Sequence, residues 1–166
     1  IDWIVTDALE RNEKVLIFTT GEHGVEGYVG SAMLQHFIDE YLPRLDPRTT
    51  GLLLVHSINP WGMKYHRRVN ANNIDLNRNF LWGASFDPTF NPEYDSIKEA
   101  YDPTKPIQSF VLSKLAFYAS SLWFLAKKGF AKLNNAFLIG QYRNPQGLHY
   151  GGKDYEPETR LLIDLY

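Results

Sequence analysis

The 166-residue chain contains no cysteine. Disulfide frameworks, thiolate zinc sites and cysteine nucleophiles are therefore excluded. The absence also fits a reducing compartment, although exported bacterial proteins can lack cysteine as well. From this feature alone we expect the protein to be located in the cytoplasm.

The chain also lacks a strong excess of either charge and any long hydrophobic run. Its 17 Lys and Arg face 19 Asp and Glu, which gives a formal net charge of −2. A partner held mainly through nucleic-acid phosphates is therefore not expected. The most apolar stretch, residues 115–126, lies between Lys114 and Lys127 and is too short to cross a bilayer. We expect neither nucleic acid nor a membrane as a partner.

The overall composition is typical of a folded protein. Hydrophobic residues make up 44% of the chain and charged residues 22%, unlike a disordered tail. A chain of this length buries roughly 70% of its unfolded surface. We therefore predict a single domain over residues 1–166 with a substantial core.

Two continuous apolar runs predict strands that are buried on both faces. They lie at residues 15–20 and 51–58, and neither alternates between polar and apolar positions. Between them we predict a helix that Ser31 caps, that runs to about Leu42 and that Pro43 ends. Strand, helix and strand in this order predict a right-handed crossover and a mostly parallel sheet of the α/β class.

Four further segments have their own patterns. Residues 2–12 predict a short amphipathic helix, residues 59–62 a turn, and residues 64–104 a long irregular excursion. Residues 107–130 have helical apolar spacing, and we interpret this aromatic stripe as core packing.

Residues 136–166 have the patterns of a strand, a loop and a helix. A short strand is predicted at residues 136–140, and a glycine-rich loop follows over residues 141–155. Pro157 begins the final helix as a first-turn residue, and Glu156 and Glu158 are placed favourably near its positive end.

A histidine and a glutamate follow the first predicted strand at the spacing His-x-x-Glu. His23 and Glu26 lie in a glycine-rich segment, and ligands of α/β sheets collect at the carboxyl ends of strands. Their nitrogen and oxygen donors can reach one ion at about 2 Å from each. We interpret them as metal ligands, and the alternative is a hydrogen bond that stabilises the loop. His36 and Asp39 have the same spacing within a predicted helix, where a solvated pair is expected.

A second polar group occupies residues 67–80. Its arginines and asparagines would be solvated surface by default, but Ile74 and Leu76 anchor the segment in apolar surroundings. Asn77 and Arg78 then have a fixed direction. A guanidinium held in this way can bind a carboxylate through paired hydrogen bonds.

Taken together, these motifs resemble the carboxypeptidase A-like zinc metallopeptidases, and most closely a little-characterised bacterial branch of them. The resemblance covers most of the chain in order. It rests on Glu-His-Gly-Val-Glu-Gly at residues 22–27, Asn-Pro-Trp-Gly at 59–62, Asp-Leu-Asn-Arg-Asn-Phe at 75–80, Gly-Gln-Tyr-Arg-Asn-Pro-Gln-Gly-Leu-His-Tyr-Gly-Gly at 140–152 and Tyr-Glu-Pro-Glu-Thr at 155–159.

The resemblance implies a three-layer fold with a mostly parallel mixed sheet, helices on both faces and its carboxyl-terminal part missing. His23 and Glu26 match the first two ligands of one Zn²⁺ ion. The family's third ligand and its general base are expected beyond Tyr166. His149 lies in a glycine-rich loop rather than at a strand end, so we expect it to make a loop hydrogen bond, and a third metal ligand is the alternative. Two protein ligands are fewer than the usual three plus water, so we expect zinc binding to be weak.

The resemblance also implies how substrate is held. Arg68, or Arg67 if the register slips by one, matches the arginine that polarises the scissile carbonyl. Asn77 and Arg78 match the pair that grips the terminal carboxylate of the substrate. The implied activity is hydrolysis of an amide bond next to a free carboxylate.

Three questions of function stay open at this point. The substrate can be a peptide or an N-acyl amino acid, because related enzymes reuse these elements on smaller substrates. A non-catalytic module that only binds carboxylates is the alternative outside catalysis. An uncovered apolar sheet edge would also make a second copy of the chain a candidate partner.

Overall fold

The computed structural model describes residues 1–101 and 109–166. The chain divides into two compact units: the first comprises Ile1–Asn77 and Glu156–Tyr166, and the second comprises Arg78–Tyr155. The single domain over residues 1–166 stays a prediction.

The first unit contains a three-stranded mixed sheet in the order β1-β3-β2. Its strands are β1 (Asp2–Thr6), β2 (Lys14–Thr19) and β3 (Thr50–His56). β2 runs parallel to β3, and β1 runs antiparallel to it. The α/β class and the parallel pair are therefore confirmed, whereas the three-layer arrangement with helices on both faces stays a prediction.

The helix predicted over residues 2–12 is wrong, because β1 lies there instead. Asp2 pairs with His56 and Thr6 with Leu52 across the antiparallel ladder. An isolated helix this short is marginal in water, whereas the β-branched residues Ile4, Val5 and Thr6 suit a strand. Long-range pairing with β3 thus overrides the local helical spacing.

Burial differs sharply between the two predicted strands. Leu53, Leu54 and Val55 of β3 are buried, as the sequence predicts. The prediction for β2 is wrong, because Val15 and Ile17 are exposed. Side chains two residues apart on a strand point to the same face of the sheet, so Val15 and Ile17 mark a face of β2 that is open to solvent. The uncovered apolar sheet edge stays a prediction.

The helical segment after β2 begins earlier than predicted. A 3₁₀ turn (Gly24–Glu26) leads directly into α1 (Gly27–His36), and a π turn (Phe37–Tyr41) and a 3₁₀ turn (Leu42–Arg44) follow. Ser31 is therefore not a cap but an internal residue. Glu26, the residue before α1, has helical dihedral angles (φ −81°, ψ −11°). A capping residue has non-helical angles, so the chain passes from the 3₁₀ turn into α1 without a capped start. The predicted end near Pro43 is confirmed.

One short helix, the first half of another and one longer helix complete the first unit. Where the sequence predicts a turn at residues 59–62, the structure has α2 (Pro60–Lys64), with proline in its first turn and Asn59 as its cap. α3 (Leu76–Asn79) follows, and its first two residues belong to the first unit and its last two to the second. The final helix α7 (Pro157–Leu165) confirms the prediction from Pro157.

The second unit is helical. It contains α4 (Tyr94–Tyr101), α5 (Phe110–Lys128) and α6 (Phe130–Leu138). α4 interrupts the predicted irregular excursion, of which residues 102–104 lie outside the described part. α5 confirms the helix predicted over residues 107–130, and residues 107 and 108 lie outside the described part.

The strand predicted at residues 136–140 is wrong, because α6 continues to Leu138. Its apolar residues recur at the helical spacing of three and four. Ala136 packs in a buried cluster with Ile97 and Phe124, and Leu133 and Phe137 lie against it. Packing against α4 and α5 therefore selects the helix.

The interpretation of the α5 stripe as core is also wrong. Phe124 is buried, but Phe110, Leu115, Tyr118 and Leu122 are exposed. Residue 124 lies 200° around the helix from residue 122, and the buried cluster occupies the side of Phe124 only. None of the described helices is both long enough and apolar enough to span a bilayer.

Candidate functional site

The candidate site of the first unit lies where β2 and β3 end. The ladder continues past both strands, because Ile58 N donates to Thr20 O at 2.9 Å and Asn59 N donates to Gly21 O at 2.8 Å. The segment after β2 and the segment after β3 therefore lie side by side. His23 and Glu26 follow the carboxyl end of a strand, as the sequence predicts.

A tight turn brings residues 23 and 26 together. Glu26 N donates to His23 O at 3.0 Å, and side chains three residues apart share one side of a 3₁₀ turn. The turn packs so closely on α2 that a Cβ at Gly24 would overlap the backbone of Gly62 and Met63. Glycine at position 24 is thus required by this close approach.

Asn59 connects α2 with the arginine segment. Its side chain is completely buried, its Oδ1 accepts from Gly62 N at 2.8 Å, and its Nδ2 donates to Arg68 O at 3.3 Å. Arg67 is held from the other side, because its backbone N donates to Gly62 O and its O accepts from Val25 N. The backbone before and at Arg68 is therefore fixed relative to the turn of His23 and Glu26.

Four side chains converge at this point. Arg68 Nε lies 3.2 Å from Asp75 Oδ2, and Arg68 Nη1 lies 4.0 Å from Glu26 Oε1. His23 Nδ1 lies 3.7 Å from Asp75 Oδ1. Of the two candidate arginines, Arg68 is thus the one whose guanidinium lies beside Glu26 and Asp75. We call these four residues the Asp75 cluster.

Solvent exposure divides the cluster into an inner and an outer part. Asp75 has 0% of its side chain exposed and His23 has 10%, whereas Arg68 has 40% and Glu26 has 66%. A buried carboxylate needs charged or hydrogen-bonding partners, and Asp75 has both Arg68 and the backbone N of Asn77 at 3.2 Å. Buried Asp75 therefore orients Arg68.

Asp75 is the residue to which sequence reasoning assigned no role. The sequence nevertheless contains a signal that Asp75 is buried, because it stands between the apolar residues Ile74 and Leu76. Both of these are buried in the structure. An acidic side chain between two buried apolar neighbours is itself expected to be buried and paired.

The segment that carries Asp75 is anchored to α7. Asn70 Oδ1 accepts from the backbone N atoms of Asn72 and Ile74, both at 3.0 Å. The Nδ2 atoms of Asn70 and Asn72 donate to Glu156 Oε2 at 2.8 and 2.7 Å. The carboxylate that precedes Pro157 therefore fixes the loop before Asp75, which gives the Glu-Pro-Glu-Thr motif a structural role.

The predicted carboxylate-binding pair falls at the boundary between the two units. Asn77 belongs to the first unit and is exposed. Arg78 belongs to the second unit, where its Nη2 donates to Leu138 O and its stem lies so close to Gly140 that a Cβ there would be 2.6 Å from Arg78 Cδ. Their grip on a substrate carboxylate stays a prediction, as does a hollow shared with residues 23 and 26.

The glycine-rich segment 140–152 is built around buried polar side chains of the second unit. Gln141 Oε1 accepts from the backbone N atoms of Arg143 and Asn144. Asn79 Nδ2 donates to the carbonyls of Gly151 and Asp154, both at 2.8 Å. A Cβ at Gly151 would overlap the ring of Tyr142. These contacts account for several residues of the motif by structure alone.

His149 belongs to the same segment. It has a positive φ of 53°, and its carbonyl accepts from Gln141 N at 3.0 Å. This bond ties the loop at His149 to Gln141, and a role of the imidazole as third metal ligand stays the alternative to a loop hydrogen bond.

The described residues supply two candidate zinc donors in the first unit, His23 and Glu26. Among the residues that the structure describes, no three His, Cys, Asp or Glu side chains are grouped so that they could hold a metal ion. Catalytic zinc sites use three protein ligands. The donor types fit zinc, but the set falls one ligand short.

The comparison pair at the same spacing has a different setting. The ring of His36 packs edge-on against Tyr41 at 5.6 Å, and Asp39 Oδ1 accepts from Gln35 Nε2 at 2.9 Å. Both contacts lie within the helical segment, as expected for a pair on a helix surface.

Comparison with known proteins identifies one family. A family model described as "Protein of unknown function (DUF2817)" matches residues 1–164. Searches of curated proteins and of solved structures return no match. Because the model covers nearly the whole chain, the protein belongs to the DUF2817 family.

Proposed function

We propose that this chain carries part of the active site of a zinc-dependent hydrolase that cleaves an amide bond next to a free carboxylate. The observation that carries the proposal is the Asp75 cluster, in which one buried carboxylate faces both Arg68 and His23. The motif resemblance to carboxypeptidase A-like zinc metallopeptidases supports the same chemistry and the same fold.

Arg68 is suited to stabilise negative charge on a substrate carbonyl oxygen. Its Nε is engaged by Asp75, which fixes the plane of the guanidinium, while 40% of the side chain stays accessible. A preorganised cation of this kind lowers the energy of an oxyanion without reorganising during the reaction. Asp75 acts as a positioning residue for Arg68.

His23 and Glu26 would hold the zinc ion. A bound zinc ion lowers the pKa of its water toward 7 and polarises the carbonyl. The Asp75 carboxylate that faces His23 Nδ1 can orient the imidazole, as carboxylates commonly do beside metal-binding histidines. Because the described set offers two donors, we expect weak binding rather than a filled tetrahedral site.

Asn77 and Arg78 set the proposed substrate class, because an amide and a guanidinium together suit a terminal carboxylate. Both blocked dipeptides and N-acyl amino acids meet this requirement. The two substrate classes differ in the size of the group beyond the scissile amide, so assays with both distinguish them.

Zinc titration of the metal-free chain by calorimetry tests the proposed donors. We expect weak binding that falls at least tenfold in His23→Ala and in Glu26→Ala. The matched controls are His36→Ala and Asp39→Ala, which remove the same residue types at the same spacing and should bind zinc like the wild type. Equal losses in both pairs would count against a site at residues 23 and 26.

A hydrolysis assay in zinc-containing buffer tests the arginine. Any turnover should fall by about 100-fold or more in Arg68→Lys, as when an oxyanion donor is removed, and by less than about threefold in Arg67→Lys. Turnover that survives Glu26→Ala would contradict the zinc mechanism. Carboxylate binding without zinc binding would favour the non-catalytic module.

A further inference from the structure

Helix α5 presents a continuous apolar face to solvent. Its stripe consists of Val111, Leu115, Tyr118 and Leu122, which follow one another at intervals of four and three residues, and Trp123 extends it. The exposed fractions of Leu115, Leu122 and Trp123 are 61%, 68% and 57%. Residues spaced in this way share one side of a helix, so the exposed groups form one surface, which we call the α5 face.

Two lysines flank this face. On a helical projection at 100° per residue, Lys114 lies about 40° beyond Tyr118 at one edge of the α5 face, and Lys127 lies about 40° beyond Trp123 at the other. The sequence contains no Asp or Glu between Asp102 and Asp154. The two lysines therefore flank the α5 face, and the same helix carries no acidic residue.

Part of the neighbouring charge is compensated. Lys128 and Lys132 lie 3.3 and 3.4 Å from the carboxylate oxygens of Glu93. The second unit as a whole has nine basic and six acidic residues and a formal net charge of +3, whereas the first unit has 8 basic and 13 acidic residues. The positive excess is thus confined to the unit that carries the α5 face.

This charge pattern selects among the occupants that could cover an apolar surface. A second copy of the same face would bring its own lysines against Lys114 and Lys127, and like charges in close contact oppose association. An anionic phospholipid surface complements both features, because it offers acyl chains to the stripe and headgroup phosphates to the lysines. Long lysine side chains can extend along apolar surface to reach headgroups.

We propose that α5 lies flat on the surface of an anionic phospholipid bilayer, with the α5 face in the boundary between headgroups and acyl chains. No described helix meets the requirements for spanning a bilayer, and a helix in the interface plane needs no such span. The sequence-based expectation of no membrane partner rested on bilayer crossing alone. This proposal is independent of the hydrolase proposal.

Flotation of the full chain with vesicles tests the proposal. The vesicles contain phosphatidylcholine alone or phosphatidylcholine with 30% phosphatidylserine. We expect flotation with the anionic vesicles, little with the neutral ones, and weaker flotation as salt is raised. Absence of flotation with anionic vesicles, or equal flotation with both types, would overturn the proposal.

Two double variants in α5, each with a matched control elsewhere, distinguish binding through the α5 face from non-specific binding to vesicles. Leu115→Gln with Leu122→Gln should lose flotation, whereas the matched exposed pair Val15→Gln with Ile17→Gln in β2 should retain it.

The lysines are tested separately. Lys114→Gln with Lys127→Gln should weaken partitioning by about fivefold per lysine. Lys14→Gln with Lys153→Gln makes the same change in net charge elsewhere and should have little effect. Circular dichroism of each variant confirms folding.

Tryptophan fluorescence reports which residue enters the membrane. Brominated lipid should quench Trp123, so Trp123→Phe should lose most of the quenching and Trp82→Phe should keep it. The reverse result would overturn the proposal. Dimerisation in light scattering that Leu115→Gln abolishes, together with absence of flotation, would assign the α5 face to a second copy instead.

Discussion

Arg68 Nε lies 3.2 Å from Oδ2 of Asp75, a carboxylate with no exposed side-chain area. One end of the guanidinium thus rests on a buried charge, while the side chain as a whole is 40% exposed. An arginine fixed in this way has lost much of its rotamer freedom before any ligand arrives. The stability of the cluster and its chemistry therefore depend on the same carboxylate.

Asp75→Asn should lower the free energy of unfolding by about 1 to 3 kcal/mol, the usual range for losing hydrogen bonds to a charged partner. Asparagine keeps the shape but removes the charge that faces Arg68 and His23. Urea unfolding followed by circular dichroism measures the change. Asp164→Asn in α7 is the control, because Asp164 is exposed and its replacement should cost less than about 0.5 kcal/mol. Equal effects of the two changes would show that Asp75 makes no special contribution.

Gly24 in the turn and Gly27 at the start of α1 should respond differently to alanine. In Gly24→Ala the new Cβ overlaps the backbone of Gly62 and Met63, which cannot move without shifting α2, so we expect a loss of about 2 kcal/mol or more. In Gly27→Ala the nearest atom is Met63 Sδ at 3.1 Å, the end of a flexible side chain, and alanine favours the helix. Thermal unfolding should place Gly27→Ala within about 1 kcal/mol of the wild type. A larger loss in Gly27→Ala than in Gly24→Ala would contradict the packing of the turn on α2.

Asp95 should make the second unit sensitive to acid. The hydrogen bond from Lys98 holds the pKa of Asp95 below its ordinary value of 3.8, and the charge of Arg143 acts in the same direction. A carboxyl whose pKa is depressed in the folded state contributes stability above its unfolded pKa and loses that contribution as the pH falls through the folded pKa. The contribution should therefore be complete above about pH 5 and should be lost progressively below pH 3.8, as the pH falls through the lower pKa of the folded state.

The size of this effect should be about 0.5 kcal/mol, because 35% of the Asp95 side chain is exposed and surface ion pairs contribute little. Urea unfolding of the wild type and of Asp95→Asn at several pH values measures it. The difference in unfolding free energy should be present at neutral pH and vanish in acid. A difference that grows on acidification would contradict the predicted sign.

Local signals in the sequence were enough to predict several elements. Val15 and its neighbours predicted β2, residues 51–58 predicted β3, and Pro157 predicted the start of α7, because β-branched runs and a first-turn proline act within a few residues. The parallel pairing of β2 with β3 also followed, since a helix between two strands restricts their direction.

Elements that depend on distant partners were predicted wrongly. β1 is a strand only because β3 accepts its backbone hydrogen bonds, and residues 136–138 are helical because Ala136 packs on Phe124. The exposed stripe of α5 has the spacing of a core helix, and spacing alone does not report which side another element covers.

The sequence by itself determined the residue types and spacings of the site: His-x-x-Glu after a strand, the neighbouring arginines, and the motif that contains Asp75. Only the tertiary structure decided that Arg68 rather than Arg67 faces Glu26, and that Asp75 is the buried residue facing Arg68 and His23. The reason is physical. Spacing constrains side chains within one turn of chain, whereas the approach of residues 23, 68 and 75 depends on backbone hydrogen bonds between segments about forty residues apart, such as the bond from Val25 N to Arg67 O.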